Sequence, residues 1–422
     1  MSTAVVLGLG AVLGAGMFIG LAPAAATAGR WFLPALLISA VAALCCAFST
    51  ADQSRAHPDA GGGYEYIRNQ LGPWSARIGG SAHLLSRAAV AAALAATFAD
   101  YVFPEHRPAA ALGLLVVTAV IGAAGVRWST RLSWTLAGVV LVALVLVVVV
   151  CFSVAPPAVA PTVAGAPGAD DAGGIMGAAG LMFVAFSGFE RITAPLRGDP
   201  ACSARRLRTA IPVLVALVLV VHLAVGAAVV HQLGTARLAL SPAPLRDAMI
   251  AADARFLAPV VQVGAAVAAV SALFFVFAGS RRTLAAMAEA GDLPVSLAGA
   301  PDARPPWPLD LIGGAAAVIA VLLLTPAQAL AVGACGALFY YAFTNASARI
   351  LLQKDRTWPM RTACLGLGLS VLLAMSLPVG AMLITVVAMA VGTGLTGLCA
   401  HVSAQRREAV TRAHSAIDLE RS

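Results

Sequence analysis

Charge is scarce in this chain. Only 11% of its 422 residues are Asp, Glu, Lys or Arg, and Lys354 is the sole lysine. A soluble domain carries roughly 25% charged residues, so most of this surface is not made for water. The seven cysteines, Cys45, Cys46, Cys151, Cys202, Cys335, Cys364 and Cys399, form no C-x-x-C pair, which argues against a metal site or a disulfide framework. They read as small buried hydrophobes. No Walker A sequence is present, which excludes ATP as the energy source. Within the hydrophobic spans there is neither a metal-ligand cluster nor a nucleophile–base set, so an enzyme is not expected and no cofactor or metal is implied. Met1-Ser2-Thr3-Ala4 lacks the basic region of a cleavable signal and runs straight into the first span, which is therefore expected to be retained. The closeness of that span to Met1 is compatible with a short cytoplasmic leader upstream.

What the chain has instead is length of hydrophobic run. It is 60% hydrophobic with a mean hydropathy of +0.90. Stretches such as Leu132–Val154 and Pro212–Val230 are long enough to cross a bilayer, which takes about 20 apolar residues. Hydropathy predicts an all-α integral membrane protein of about twelve spans, near 2–28, 31–50, 78–103, 109–125, 132–154, 175–195, 209–231, 256–280, 307–324, 326–347, 363–378 and 380–400. Polar stretches cover 51–77 and 281–306, and the Pro-, Ala- and Gly-rich segment 155–174 reads as an external linker.

The net charge of +8 belongs to topology rather than to a nucleic acid partner. With odd spans starting inside, Arg55, Arg68, Arg127, Arg131, Arg205, Arg206, Arg208, Arg281, Arg282, Lys354, Arg356, Arg406 and Arg407 fall on the cytoplasmic side. Only Arg30, Arg107, Arg237, Arg246 and Arg255 remain outside. The bias predicts a multi-pass protein of a bacterial cytoplasmic membrane with both termini cytoplasmic.

Two spans are interrupted at mid-depth, the first at Gly14-Ala15-Gly16-Met17-Phe18 and the sixth at Phe183-Val184-Ala185-Phe186-Ser187-Gly188. Glycine weakens a helix because it loses the most backbone entropy on ordering. Irregular backbone at membrane depth is tolerated only where it is buried or lines a cavity. A matched pair of such breaks, five spans apart, points to an inverted repeat and to a transporter's binding site. A half-helix beginning near Met17 offers unpaired N–H groups to a carboxylate. Gly14, Ala15 and Gly16 leave its backbone open to close approach. The carbonyls of Phe183, Ala185 and Phe186 lose helical partners near Ser187-Gly188 and suit an ammonium. Facing each other, the two ends would recognise an α-amino acid zwitterion, with Phe18, Phe183 and Phe186 as an apolar wall. For Gly8, Gly10 and Gly20 close helix packing is the simpler reading. Gly8-Leu9-Gly10-Ala11-Val12-Leu13-Gly14 is no dinucleotide site, because no strand surrounds it.

These residues resemble the amino acid–polyamine–organocation superfamily. Gly14-Ala15-Gly16-Met17-Phe18 is similar to its first break and Phe186-Ser187-Gly188-Phe189-Glu190 to its second. Three further stretches add specificity: Pro58 to Pro73 with Gly61, Gly62, Gly63, Tyr64 and Tyr66; Asp199-Pro200 to Pro212; and Ser280-Arg281 to Gly291-Asp292-Leu293-Pro294. The resemblance implies a LeuT-type five-plus-five inverted repeat with two accessory helices. That divides the chain into 1–154, the linker 155–174, 175–347, 348–400 and a tail, 401–422. It also implies amino acid transport by alternating access, in either direction, the efflux members being matched about as well as importers.

Glu190 matches an acidic residue common in the family and, by resemblance, titrates or holds the inner gate. The lysine that some proton-coupled relatives carry in the fifth span is absent, Val140 standing near its place, and Val184 aligns with an aromatic gate. A proton or a sodium ion stays a candidate coupling partner. Arg87 lies within the third span, flanked by His83 and Asp100. At such depth an arginine costs about 2.5–3.5 kcal/mol and needs a partner. It either substitutes for a coupling cation, pairs with Glu190, or snorkels to the inner surface. His222 and His231 read as packing rather than as a proton relay, and Ser271 is a weak candidate for a sodium site.

Neutral amino acids are the expected substrates, because no carboxylate lies in the breaks to greet a cationic side chain. A cationic amino acid or polyamine carrier is the alternative. A non-transporting amino acid sensor is the alternative from another class, and the short tail, His401–Ser422, argues against it.

Overall fold

The computed structural model describes residues 16–57, 62–126, 130–157, 167–193, 204–297 and 307–421. Among them there is no strand. The helices are α1 (Gly16–Ala28), α2 (Phe32–Ala56), α3 (Gly63–Leu71), α4 (Pro73–Val102), α5 (Arg107–Ala123), α6 (Thr130–Ser153), α7 (Ile175–Phe186), α8 (Glu190–Thr193), α9 (Ala204–Leu240), α10 (Pro244–Ala251), α11 (Ala258–Glu289), α12 (Pro308–Leu323), α13 (Pro326–Ala348), α14 (Met360–Met375) and α15 (Val379–Arg421). Seven helical stretches are long and apolar enough to cross a membrane, and Gly16–Ala56 holds two helices in one of them. Four shorter apolar helices lie at 107–123, 172–186, 308–323 and 360–375. Together these are the twelve spans that hydropathy predicts, in a multi-pass membrane protein.

Why these residues settle as packed helices is visible at their contacts. Without a hydrophobic drive in lipid, helices associate through small residues that allow close approach. Gly333 and Gly336 of α13 press against Val90 and Ser86 of α4, and Gly264 of α11 presses against Ala143 of α6. The outer surface is apolar: Val142, Val145, Val149 and Phe152 form one exposed stripe along α6, at the spacing of a single helix face and suited to lipid. Helix α13 begins at a capping box, where Thr325 Oγ1 accepts from the Gln328 N–H (3.3 Å) and Gln328 Oε1 accepts from the Thr325 N–H (3.0 Å).

Contacts recur in pairs along the chain. Helix α1 packs on α7 and on α9, while α7 packs on α2. Helix α4 packs on α13 and α12, while α11 packs on α6 and α5. Even the short connectors follow suit: α3 lies against α4 and α13, and α10 lies against α11 and α6. Substituting each helix by the one five spans later turns one set of contacts into the other, as an inverted repeat requires. Hydropathy does not foresee α3 or α10, because both are short and amphipathic. Helices α14 and α15 pack on the outside, against α2 and α13 and against α4 and α13.

Candidate functional site

The sixth span is broken where the sequence predicts. Helix α7 stops at Phe186, Ser187 is extended (φ −67°, ψ 150°), and the chain resumes as the single turn α8 at Glu190. Gly188 has φ +115°, a conformation that a side chain disfavours. The Ser187 N–H and hydroxyl both turn to the carbonyl of Val184 (3.1 and 2.7 Å). Among the described residues no backbone hydrogen bond crosses the break to the carbonyls of Phe183, Ala185 or Phe186. At the other predicted break, Gly14 and Ala15 lie outside the described residues, and the description of α1 starts at Gly16.

The turn carries Glu190 to Arg87, at the middle of α4. Arg87 Nη2 donates to Glu190 Oε2 at 2.6 Å, with the two side chains 9% and 6% exposed. The other carboxylate oxygen accepts from the Tyr341 hydroxyl at 2.8 Å. Arg87 Nε points to His83 Nε2, one turn back on α4 (3.3 Å), and His83 lies on Tyr340 with ring centroids 4.2 Å apart. The guanidinium sits 5.3 Å from the Phe275 ring centre, beside Gly279, which leaves it room. Arg87 thus pairs with Glu190, as one of the expectations for it has it, and the side chain does not snorkel.

Two cavities meet at this layer. The first, about 50 Å³, has Gly16, Val184, Ser187 and Arg87 on its walls, with Ile19, Val90, Leu94, Phe275 and Val276 as its apolar part. The second, about 20 Å³, is bounded by Glu190, Arg282, Thr283, Thr50 and Gly63. His83 and Tyr340 belong to both and partition them.

The profile of the amino acid permease family matches residues 1–399. Two transporters of Mycobacterium tuberculosis and one of Mycobacterium bovis, all called uncharacterized, are each 37% identical over 415 residues, covering 96% of this chain and 92% of the relative. The chain belongs to the amino acid permease family. It is a transporter, within the amino acid–polyamine–organocation superfamily.

In this permease the predicted site residues divide. Gly16, Val184, Ser187 and Arg87 line the first cavity, and Glu190 lines the second. The remaining side chains are turned into packing. Phe18 meets Tyr101 edge-on (5.5 Å), Phe183 meets Tyr341 (5.5 Å) and Phe186 meets His222 (5.1 Å). Met17 is buried, and Ala185 lies directly against Gly16. The aromatic wall expected from Phe18, Phe183 and Phe186 is thus replaced by Ile19, Val90, Leu94, Phe275 and Val276. Each of those three rings packs on an aromatic or imidazole partner instead. Gly20 fits the packing role, since a Cβ there would lie 2.8 Å from Met182 Sδ.

Other candidates fall away from the cavity. Both ring nitrogens of His222 are buried with no partner among the described residues. His231 Nδ1 lies 3.1 Å from the Cys151 carbonyl, and Ser271 donates back to Val267 of its own helix (2.5 Å). Val140 is buried in α6. No group of three or more metal-ligating side chains occurs among the described residues.

Polar networks bridge elements at both mouths of the permease. Toward one end, buried Asp292 accepts from the Tyr64 hydroxyl, from Arg68 Nη1 (3.2 Å) and from Arg77 Nε (3.0 Å). Burial and the Asp292 carboxylate hold the Tyr64 hydroxyl above its ordinary pKa, so it stays a donor. Burial likewise pushes Tyr66 up to about 12. Toward the other end, the Tyr101 hydroxyl accepts from the Leu245 N–H (3.1 Å), Gln262 Nε2 donates to the Tyr101 carbonyl (3.0 Å), and Arg246 Nη1 donates to the Asp100 carbonyl (3.4 Å). Arg77 and Tyr101 bracket α4, about 36 Å apart at 1.5 Å per residue, with Arg87 between them.

Sequence reasoning passed over Tyr340 and Tyr341, which complete the layer. A signal was there: the chain has only five tyrosines, two of them adjacent inside an otherwise apolar span. All five are buried.

Proposed function

We propose that the permease carries neutral amino acids across the cytoplasmic membrane by alternating access, as a secondary transporter. The observation that carries this reading is the second break: carbonyls released from α7 stand next to Gly16, where the description of α1 begins, beside one small cavity. The α-ammonium rests on the carbonyls of Phe183, Ala185 and Phe186, and the α-carboxylate on the N–H groups near Gly14, Ala15, Gly16 and Met17. The substrate side chain lies toward Ile19, Val90 and Phe275. A cationic amino acid or a polyamine is disfavoured, because Arg87 faces the cavity while Glu190 is already engaged by Arg87 and Tyr341.

The repeat boundaries follow the sequence reading: 1–154 and 175–347 as the two five-helix units, 348–400 as accessory helices and 401–422 as tail. Both termini face the cytoplasm, on the support of the arginine bias. The test is counterflow in proteoliposomes preloaded with unlabelled amino acids, with labelled L-alanine, L-leucine, L-phenylalanine, L-lysine and putrescine outside. Uptake of the neutral compounds is expected. Binding without flux would leave a sensor, and flux of lysine or putrescine alone would leave the cationic carrier.

A further inference from the structure

We propose that Arg87 is a built-in counter-cation, so that the permease moves neutral amino acids on their own gradients, without a coupling proton or sodium ion. This rests on the transport reading above and specifies what drives it. A carboxylate at membrane depth must be neutralised by a proton, a bound cation or a fixed charge. Glu190 has the fixed charge: Arg87 Nη2 stands 2.6 Å from Oε2, and arginine does not lose its proton in proteins.

The same guanidinium also occupies the second group that could carry a proton. Arg87 Nε donates to His83 Nε2, and an imidazole nitrogen accepts only while it is unprotonated. One side chain thereby holds both proton-accepting groups of the layer in their deprotonated forms. The Tyr341 hydroxyl donates to Glu190 and stabilises the same form.

The rest of the surroundings agrees. Helix α11 brings Arg282, a second permanent positive charge, to the cavity that Glu190 lines. Tyr340 shares the cavity that Glu190 lines. Arg191, next in the chain, turns away to Ser133 Oγ (3.2 Å). Among the described residues no aspartate or second glutamate lines either cavity. The Arg87–Glu190 pair is formally neutral, as is a zwitterion, so loading and unloading leave the charge of the layer unchanged.

The test uses wild-type protein in liposomes with labelled L-alanine, L-leucine and L-phenylalanine. Exchange is measured with sodium replaced by choline, and with an inward proton gradient imposed or collapsed. Equal exchange, within twofold, is expected throughout, with no accumulation driven by either gradient. Accumulation several-fold above equilibrium under a proton or sodium gradient would overturn the proposal. Absence of exchange under every condition would instead sink the transport reading beneath it.

Variants make the assignment to Arg87 specific. In R87Q the Glu190 carboxylate loses the cation bonded to it and takes up a proton more readily, so exchange is expected to rise at least fivefold on acidification, against a flat wild-type profile. R87Q/E190Q is expected to be flat again, and R87K to behave as wild type. A folded R87Q protein with a flat profile, active or inactive, would overturn the role. If R87Q does not fold, R87K and the wild-type gradients still decide.

Discussion

Gly16 and Ala185 touch with nothing between them: a Cβ added at Gly16 would lie 2.2 Å from the Cα of Ala185 and 2.5 Å from its Cβ. The obstacle is backbone, which cannot swing aside as a side chain can. The two interrupted spans are thus in contact beside the cavity, and their separation is fixed by the absence of one methyl group.

Gly16→Ala is therefore expected to force α1 and α7 apart, costing about 1–3 kcal/mol as overpacking does, and to reduce exchange by at least tenfold. Gly20→Ala meets only the end of the Met182 side chain, and is expected to keep most of the activity. Counterflow rates for the two variants, normalised to inserted protein, check the contrast. Equal rates would show that this approach does not matter to transport.

Removing one member of the buried ion pair leaves the other without the opposite charge bonded to it. Glu190→Ala or Arg87→Ala is expected to lower stability by about 3–5 kcal/mol, read as a fall in melting temperature in detergent. Replacing both with apolar residues, Arg87→Met with Glu190→Leu, is expected to recover most of that stability.

Asp292 gathers three donors from two elements, Tyr64 and Arg68 on α3 and Arg77 on α4. Asp292→Ala is expected to loosen that mouth. A cysteine placed at Thr50, which lines the second cavity, should then react several-fold faster with a membrane-impermeant maleimide. Tyrosine ordinarily ionises near pH ~10, and the Tyr64 pKa is raised in the fold. Its contribution to stability is full below the ordinary value and is lost as pH rises through the folded one. Labelling is thus expected to stay flat through neutral pH and to rise only in strong alkali, a rise that Tyr64→Phe removes.

His222 is fully buried, with neither ring nitrogen partnered among the described residues. A buried polar group without a hydrogen bond costs about 1–3 kcal/mol by protein mutational data. His222→Leu is expected to be neutral or stabilising in a thermal melt and to leave exchange within twofold. A loss of exchange without a loss of stability would restore a relay role.

Much of this architecture is legible from residues alone, for a physical reason. A bilayer imposes a length on every crossing, so the twelve spans stand out in hydropathy. Ser187-Gly188 interrupts one of them with a glycine, a poor helix former. Arg87 likewise announces itself, because a charge at that depth must have a partner. Rotation is what the chain hides. Helix α7 is apolar on every face, so Phe183 and Phe186 give no hint that they pack on Tyr341 and His222. The layer itself draws on α4, α8 and α13, and only packing brings His83 and Tyr341 to Glu190.

The short helices α3 and α10 occupy equivalent places in the two halves, each resting on one long helix of either half. Each short helix, as a lid, is carried by the long helices it lies on. A see-saw of one bundle against the other would therefore lift one lid while seating its counterpart, with no separate signal to keep both mouths from gaping together.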